Sequence, residues 1–309
     1  GYTGGFLLRR LIQDGWDVKA LVRDARGEKS LTLPGCQPVY GDLTDRESLI
    51  SGMADCDVVF HLAAVYRTEV SREQFQRVNV QGTQNVLDAC VKNRIKNLIH
   101  CSTVGVHGEI TNPPADESAP FNPDDDYQQS KLDAEKRVRA YIDQNRISGT
   151  IFRPAGIYGP GEMRFLKLFR LVKAPLTIVP GSGDTLYHFT YIDDLVDGIM
   201  LCADKKEATG ETFILAGDTV YPLKEVISII ADVLKTPLRP VHVPLKLMYS
   251  AAALNEGLTK VTGIKPFLYK RRLDFFTKGR AFNINKAKQI LGYSPRISLP
   301  EGMQVTAKW

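Results

Sequence analysis

The chain opens with Gly1-Tyr-Thr-Gly4, continues with a helical pattern over residues 6–13, and then reads Asp-Val-Lys-Ala-Leu-Val-Arg-Asp over residues 17–24. Glycine lets a backbone approach a phosphate closely, and a helix that begins there offers free amides and the positive end of its dipole. Two glycines three residues apart also fit an ordinary tight turn. The helix and apolar strand that follow are the context expected of a phosphate-binding loop, so this stretch predicts a nucleotide-binding α/β unit.

Working outward, the first half of the chain alternates short apolar runs with helical patterns. This alternation is typical of β-α units on a parallel sheet, whose ligands bind at the carboxyl ends of the strands. Thr44 and Glu47, three residues apart, predict a capping box at one helix start. The predicted strands are 17–22, 38–40, 57–62, 97–102 and 148–153, and the predicted helices are 6–13, 44–53, 75–93 and 127–144.

Past Pro154 the pattern loosens, with prolines and glycines crowded at 154–161 and 175–183 around a further helix. Later helices are predicted at 193–202, 223–234 and 245–262, with a strand at 213–215. We therefore predict an α/β fold, a doubly wound Rossmann-type parallel sheet with a smaller, mostly helical C-terminal substrate lobe. Residues 1–153, with about 186–216, would form the dinucleotide-binding domain, and 154–185 with 217–309 the substrate lobe.

Composition narrows the class of protein. The 309 residues are 43% hydrophobic and 24% charged, with a net charge of +5, which is too mild to predict a nucleic-acid partner. The five cysteines are scattered and form no Cys-x-x-Cys pair, so we expect neither a metal site nor disulfides, as in a reducing cytoplasm. No apolar run reaches the length of an integral membrane segment. We expect a cytoplasmic protein that acts on a small molecule.

Tyr127 and Lys131 are the residues most indicative of chemistry. Residues four apart share one helix face, so the lysine ammonium can lie beside the tyrosine phenol. A neighbouring cation favours the phenolate and would lower the pKa of the phenol from its usual value near 10, making Tyr127 a usable general acid and base. The alternative is an ordinary solvated helix face.

Further motifs occur in a fixed order, and together with those above they resemble the extended short-chain dehydrogenase/reductase family, also called the NAD-dependent epimerase/dehydratase family. The resemblance runs over essentially the whole chain. It implies a Rossmann fold and an NAD(P)-dependent enzyme. The matching stretches are Gly1-Tyr-Thr-Gly4, Val39-Tyr-Gly-Asp42-Leu43, Phe60-His-Leu-Ala-Ala64, Val78-Asn79-Val-Gln-Gly-Thr83, Cys101-Ser-Thr103, Tyr127-x-x-x-Lys131, Arg153-Pro-Ala-Gly-Ile-Tyr-Gly-Pro160, Phe189-Thr-Tyr-Ile-Asp-Asp194 and Leu291-Gly-Tyr-Ser-Pro295.

The resemblance implies a set of cofactor-binding residues. Arg23 stands where members that prefer NAD place an acid, and a guanidinium suits the 2′-phosphate of NADP, so NADP is favoured and NAD remains an alternative. Arg23 could instead be a surface residue that pairs with a neighbouring aspartate. Asp42 resembles the family's adenine-contacting aspartate, and its alternative is a turn before a helix. The expected cofactor-binding residues are Gly1, Tyr2, Gly4, Arg23, Asp42, Leu43, Leu62, Ala63, Ala64, Tyr127, Lys131, Pro154 and Ile157.

The same resemblance assigns catalytic roles. Thr103 would bind the substrate oxygen and orient it toward Tyr127, with Ser102 as the neighbouring candidate because strand alternation points only one of the two inward. Lys131 would bind the nicotinamide ribose. Asn79 would stand behind the lysine as a structural or proton-relay partner, or lie simply on a helix face.

The family's phosphate loop normally carries three glycines behind a first strand. Gly1 and Gly4 match the second and third, so we expect a preceding strand and turn of roughly ten residues in the natural protein. That strand normally lies in the middle of the sheet, so without it the two adjacent strands would have unpaired backbone groups.

Substrate expectations rest on departures from the sugar-modifying members. Tyr187 stands where those members place an arginine, and Ala155-Gly156 replaces their asparagine. Both departures favour an NAD(P)-linked oxidoreductase acting on a secondary alcohol, ketone or aldehyde, with Tyr187 and Phe189 lining an apolar pocket or packing in the core. The alternatives are a nucleotide-sugar 4-epimerase or dehydratase and a non-enzymatic dinucleotide sensor.

Two further features stay open from the sequence. Residues 267–280 combine basic and aromatic side chains, which would suit a phosphate site, a lid, a membrane contact or a solvated loop. The resemblance also implies a homodimer built through the helices at 81–93 and 127–144.

Overall fold

The computed structural model describes residues 1–24, 34–66, 70–262 and 270–309, without the side chains of 256–262 and 270–272. The described residues confirm the parallel α/β fold expected from the alternating pattern. The strands are β1 (Val18–Val22), β2 (Cys36–Tyr40), β3 (Val58–His61), β4 (Asn97–Cys101), β5 (Gly149–Pro154), β6 (Gly156–Tyr158), β7 (Thr177–Pro180), β8 (Leu186–Tyr191), β9 (Thr212–Leu215), β10 (Val220–Pro222) and β11 (Pro240–Val243).

Helices connect and cover the strands. The chain from Arg72 to Asn93 is helical throughout, with one π-helical stretch at Gln76–Gln81 that joins α3 to α4. The helices are α1 (Tyr2–Gln13), α2 (Arg46–Gly52), α3 (Arg72–Phe75), α4 (Gly82–Asn93), α5 (Asp126–Asp143), α6 (Leu166–Lys173), α7 (Ile192–Asp204), α8 (Leu223–Val233), α9 (Leu245–Thr262), α10 (Lys270–Thr277) and α11 (Leu299–Lys308).

The main sheet is parallel and four-stranded, in the order β3-β4-β5-β9. Its central strand β5 is buried along its whole length, which is usual where helices cover both faces of a sheet. β1 and β2 pair in parallel as a separate two-stranded sheet. The preceding strand expected from the family pattern stays a prediction.

The C-terminal part contains more strand than its sequence pattern predicts. β8 pairs with β6 in parallel and with β10 in an antiparallel register, and β11 pairs with β7 in parallel. β8 therefore pairs with strands that the sequence assigns to the substrate lobe. One hydrophobic core runs from Leu7 in α1 through Phe152 in β5 to Met303 in α11. The domain boundaries stay a prediction.

The predicted capping box at Thr44 is wrong. Helix α2 is capped by Asp45, whose carboxylate accepts hydrogen bonds from the backbone amides of Glu47 and Ser48. Thr44 is taken up in a local turn instead, because its amide and its hydroxyl both donate to Asp42, at 2.8 and 2.7 Å. Among the described residues, none of the helices combines the length and the apolar character needed to cross a bilayer.

Candidate active site

The carboxyl ends of β3 and β4 and the start of α5 converge on one region of the molecule. α5 begins there because the Asp125 side chain caps it by accepting a hydrogen bond from the amide of Gln128 at 2.8 Å. Tyr127 and Lys131 lie in the first two turns of this helix. The loop after β4 carries Thr103, so these three predicted catalytic residues lie on neighbouring elements.

Lys131 points into the protein. Its Nζ donates a hydrogen bond of 2.6 Å to the carbonyl oxygen of Cys101, and the residue is buried. Burial lowers the pKa of the ammonium, while Cys101 and Glu135 act in the opposite direction. The ammonium is thereby fixed at the end of β4 with two further N–H groups to offer.

Two histidines lie beneath this ammonium, at register-paired positions in β3 and β4. The rings of His61 and His100 are 5.1 Å apart between centroids, and both are buried. Burial, and then the charge of Lys131, lowers the pKa of His61 to about 3, and the same two causes, with His61 added, hold the pKa of His100 well below its ordinary value. Both rings are therefore neutral at pH 7.

Tyr127 differs from the expectation. Burial raises the pKa of its phenol, followed by smaller contributions from Cys101 and Tyr66, and Lys131 is not among the main causes. The prediction that the lysine lowers this pKa is wrong for the described geometry, because the ammonium is bound to the Cys101 carbonyl. Tyr127 carries its proton at neutral pH. Its ring packs edge-on against Tyr66, at 4.7 Å between centroids and 86° between planes.

Asn79 joins three parts of the site. Its amide oxygen accepts a 2.8 Å hydrogen bond from the amide of Val65, and its amide nitrogen donates to the Val65 carbonyl at 3.0 Å and to Ser130 Oγ at 2.9 Å. Ser130 Oγ in turn donates to the carbonyl of Tyr127 at 2.7 Å. Asn79 is buried and ties the loop after β3 to the first turn of α5. The geometry favours its structural role.

Thr83 and His61 form a second series of hydrogen bonds that ends at the Asn79 backbone. Thr83 Oγ1 donates to the Asn79 carbonyl at 2.7 Å, and His61 Nε2 lies 2.9 Å from the same Thr83 oxygen. Since the threonine hydrogen goes to Asn79, the proton between the other two atoms belongs to His61 Nε2. This fixes the tautomer of the neutral ring.

Thr103 and Ser102 are distinguished by their surroundings. Ser102 is buried, and its hydroxyl has no hydrogen-bond partner among the described residues. Thr103 is half-buried, and its Oγ1 accepts a hydrogen bond from the amide of Gly105 at 3.1 Å. Its own hydroxyl hydrogen remains available to a substrate oxygen. Thr103 is the more accessible of the two hydroxyls.

The amino end of α1 has the features of a phosphate site. Gly1 caps the helix without a side-chain hydrogen bond, and the first turn contains no acidic residue. Side chains built at Gly4 and Gly5 would meet no atom within 4 Å, so the space there is open. The Tyr2 hydroxyl is buried without a partner among the described residues and lies close to Gly159. These features fit a dinucleotide pyrophosphate.

Asp42 and Arg23 lie at the ends of β2 and β1. The two hydrogen bonds from Thr44 lower the pKa of Asp42, and Arg23 lowers it further by its charge. Arg23 is exposed, as a residue that reads a cofactor phosphate must be. Leu43 is placed differently, since it is buried against Gly82 and its carbonyl accepts a 2.8 Å bond from Asn85. Its position favours packing.

The remaining predicted cofactor residues follow strand ends. Leu62 and Ala64 are half-buried and Ala63 is exposed in the loop after β3, where small side chains leave room. Pro154 ends β5 and is buried, and Ile157 lies in β6 opposite Thr190. Leu62, Ala63 and Ala64 follow the carboxyl end of β3 and Pro154 forms that of β5, at the edge of the sheet where such folds bind ligands. Ile157 lies three residues past Pro154, within β6.

The structure adds residues that sequence reasoning missed. Arg164 lies over the Tyr66 ring, 5.1 Å from its centroid, and Arg164 Nη2 is 2.7 Å from Glu162 Oε2. Phe75 also packs near Tyr127, with 6.0 Å between the two ring centroids. Tyr66 and Phe75 therefore contact the Tyr127 ring, and Arg164 lies on Tyr66. They come from segments far apart in the chain and follow no spacing rule, so no sequence signal indicates them.

Tyr187 and Phe189 pack in the core. Their rings stack at 5.7 Å, and both residues are buried. The Tyr187 hydroxyl donates to the Phe275 carbonyl, which fastens helix α10 to β8. The structure thus favours the packing alternative over a pocket lining. Of the basic and aromatic run at 267–280, residues 267–269 lie outside the described residues, as do the side chains of Lys270, Arg271 and Arg272.

Comparison with known proteins identifies the family to which the chain belongs. The model of the NAD dependent epimerase/dehydratase family matches residues 1–216. The chain belongs to this family, that is, to the extended short-chain dehydrogenases/reductases. Its relatives include ketoreductases and dehydrogenases, and the chain is an enzyme of the oxidoreductase type found in this family.

Two relatives and one solved structure illustrate the similarity. A 4-hydroxy-2-methyl-3-oxo-4-farnesyl-3,4-dihydroquinoline-1-oxide ketoreductase of Stigmatella aurantiaca is 29% identical over 98% of this chain and 92% of that protein. The 3beta-hydroxysteroid-dehydrogenase/decarboxylase isoform 1 of Arabidopsis thaliana is 32% identical over 87% of this chain, which spans 66% of that protein. The UDP-glucuronic acid 4-epimerase of Bacillus cereus, solved in complex with NAD, shares the fold with a TM-score of 0.78, at 23% identity over 100% of this chain and 95% of that chain.

Proposed function

We propose that the enzyme transfers hydride between a nicotinamide cofactor and a secondary alcohol or ketone, with Tyr127 as the general acid and base. The observation that carries this proposal is the convergence of Thr103, Tyr127 and the buried Lys131 at the carboxyl end of the parallel sheet. A solvated helix face would leave the lysine in water, whereas here it is buried and bound to a strand-end carbonyl.

Each side chain has a distinct task in this mechanism. The Thr103 hydroxyl accepts a hydrogen bond from the amide of Gly105 and donates its own hydrogen to the substrate oxygen. Tyr127, protonated at neutral pH, gives its proton to a carbonyl oxygen during reduction, or accepts one from an alcohol in the reverse direction. Lys131 is held by Cys101 and offers its other N–H groups to the cofactor ribose. The bound nicotinamide supplies or accepts the hydride.

The cofactor is proposed to be NADP in preference to NAD. The amino end of α1, with Gly1, Tyr2 and Gly4, would hold the pyrophosphate. The exposed guanidinium of Arg23 at the end of β1 would contact the 2′-phosphate. Asp42 beside it keeps an ionised carboxylate for the adenosine. Solved relatives contain NAD, so we expect NAD to be used more slowly rather than rejected.

The substrate is proposed to be a largely apolar ring compound. The two relatives described above act, by their names, on a farnesylated quinoline oxide and on a hydroxysteroid. Tyr66, which is exposed and packs on Tyr127, offers aromatic surface to such a ring. The absence of an arginine at position 187, where Tyr187 is buried instead, removes the diphosphate contact expected of sugar-modifying members.

A cytoplasmic location and a homodimer complete the proposal. The helices α4 and α5 pack against each other within one chain, and Tyr141 Oη donates to Asp88 at 2.8 Å across that contact. The outer faces of the same two helices would meet the second copy. Sedimentation velocity of the purified protein at several concentrations measures this association directly.

One experiment tests the catalytic assignment. Purified protein is mixed with NADPH or NADH and a panel of steroid, quinoline and aliphatic ketones, with UDP-sugars as the alternative substrates, and absorbance at 340 nm is followed. We expect Tyr127→Phe to lower kcat by about 10²- to 10⁴-fold with unchanged cofactor affinity. Tyr141→Phe, in the same helix but away from the site, is the matched control and should retain full turnover. Equal kcat values in the two variants would remove Tyr127 from the mechanism.

A further inference from the structure

Two segments of the C-terminal lobe form a surface of unusual charge. Residues 163–183 and 233–254 contain seven lysines and arginines and no aspartate or glutamate. The pairing of β7 with β11 brings the two segments side by side, and α6 contacts β7. We call the exposed side chains of these two segments the lobe face. All seven of its basic residues are exposed: Arg164, Lys167, Arg170, Lys173, Lys235, Arg239 and Lys246.

The lobe face is also apolar. In the two-stranded sheet, Ile178 stands directly opposite Val241, and both are exposed, at 46% and 40%. Strand alternation places Leu176 on the same side as Ile178, while Thr177 between them is buried. One face of this small sheet therefore presents aliphatic side chains to solvent.

Helix α9 continues the apolar surface. It begins where β7 ends, since the Leu245 side chain lies 3.3 Å from where a Cβ on Gly181 would stand. Leu247, Ala251 and Leu254 are exposed and recur at i, i+4 and i+7, so they form one stripe on the outer side of the helix. Leu254 is 71% exposed. Such a stripe with cations around it is typical of helices that lie in a membrane interface.

We propose that the lobe face docks on the surface of an anionic lipid bilayer. Cations without intervening acids match the negative headgroup layer, where each basic residue contributes to attraction, and the aliphatic side chains enter the headgroup boundary. A second copy of the chain fits this surface poorly, because its own lobe face would bring like charges together. The binding is peripheral and needs no spanning helix.

Docking in this orientation would place the active site beside the bilayer. Arg164, at the start of the first acid-free segment, lies over Tyr66, which packs on Tyr127. A substrate dissolved in the bilayer would therefore meet the protein close to its catalytic tyrosine. The docking itself is independent of the proposed function, since it rests only on the charge and exposure of the lobe face.

Vesicle sedimentation tests the proposal without any activity measurement. Full-length protein is spun with phosphatidylcholine vesicles, with or without about 30% phosphatidylserine, at low and high salt. We expect binding only to the anionic vesicles and release at high salt. The double variant Lys173→Gln with Arg239→Gln should weaken binding about 25-fold, because each lost charge weakens it about fivefold. Leu247→Ser with Leu254→Ser should also weaken it.

Matched controls make the result decisive. Lys92→Gln with Lys205→Gln removes two exposed cations outside the lobe face and should bind as the wild type does. Circular dichroism and NADPH binding show that each variant is folded. The proposal is overturned if the wild type stays in the supernatant, or if all double variants bind alike. It is also overturned if sedimentation velocity shows a dimer that the Leu247 and Leu254 substitutions dissociate.

Discussion

Lowering the pH from 7.5 to 5 should destabilise the folded chain through the two histidines buried beneath Lys131. His61 has a pKa of about 3 in the folded protein, against about 6.5 in the unfolded chain. The unfolded chain takes up the proton first, so the free energy of unfolding falls as the pH drops below 6.5 and continues to fall until about 3. pH 5 lies about 1.5 pH units below the pKa of the unfolded chain. At about 1.36 kcal/mol per unit, the free energy of unfolding should fall by about 2 kcal/mol. His100, depressed in the same direction, adds to this loss.

Urea denaturation of the wild type and two variants measures this effect. His61→Gln keeps an N–H group near Thr83 but cannot titrate, so its loss of stability between pH 7.5 and 5 should be smaller than that of the wild type by about 2 kcal/mol. His242 is exposed, and His242→Gln should lose as much as the wild type. The reasoning fails if the three proteins lose stability equally, or if nuclear magnetic resonance shows the His61 ring titrating between pH 6 and 7.

Four further predictions follow from single contacts. Asn79→Ala removes the three hydrogen bonds of a buried side chain and should lower the free energy of unfolding by about 2–4 kcal/mol and turnover with it, measured by urea denaturation and initial rates. Glu135→Gln leaves the buried Arg153 without its carboxylate and should cost about 3–5 kcal/mol in the same denaturation assay. Asp45→Ala should cost about 1 kcal/mol while a Thr44→Val variant loses less, and the reverse order would restore Thr44 as the cap of α2. Arg23→Ser should reduce the ratio of kcat/KM with NADPH to that with NADH by about 10- to 100-fold, and an unchanged ratio would show that the guanidinium does not contact the 2′-phosphate.

The sequence predicts the parallel half of the fold well because its signals are strong there. The strand predicted at 97–102, for example, is a mostly apolar run bounded by helical patterns, and the structure has β4 at Asn97–Cys101. The lobe strands are only three or four residues long and one ends in Pro222, so they carry neither a period nor a clear composition. Their existence follows from pairing with residues distant in the chain, which a local pattern does not record.

Some residues of the candidate site can likewise be predicted from the sequence, and others cannot. Thr103, Tyr127 and Lys131 stand out because they belong to motifs of fixed spacing. Tyr66 and Arg164 do not, since they meet only after β3 and β6 are placed in the fold. The choice between Thr44 and its neighbour as helix cap likewise depends on backbone geometry. Both residue types cap well, and only the turn made by Asp42 decides between them.

The four-residue spacing of Tyr127 and Lys131 does not predict the pKa of Tyr127. A separation of four places Lys131 on the face of α5 that carries the phenol, but the lysine has four methylenes and its ammonium settles where an acceptor is available. That acceptor is the Cys101 carbonyl, thirty residues earlier in the chain and at the end of β4. The ammonium therefore acts on the buried histidines, and the phenol is governed by its own burial. Position, rather than a lowered pKa, is what the lysine provides to the chemistry in this geometry, so replacing it with methionine should weaken cofactor binding as well as turnover.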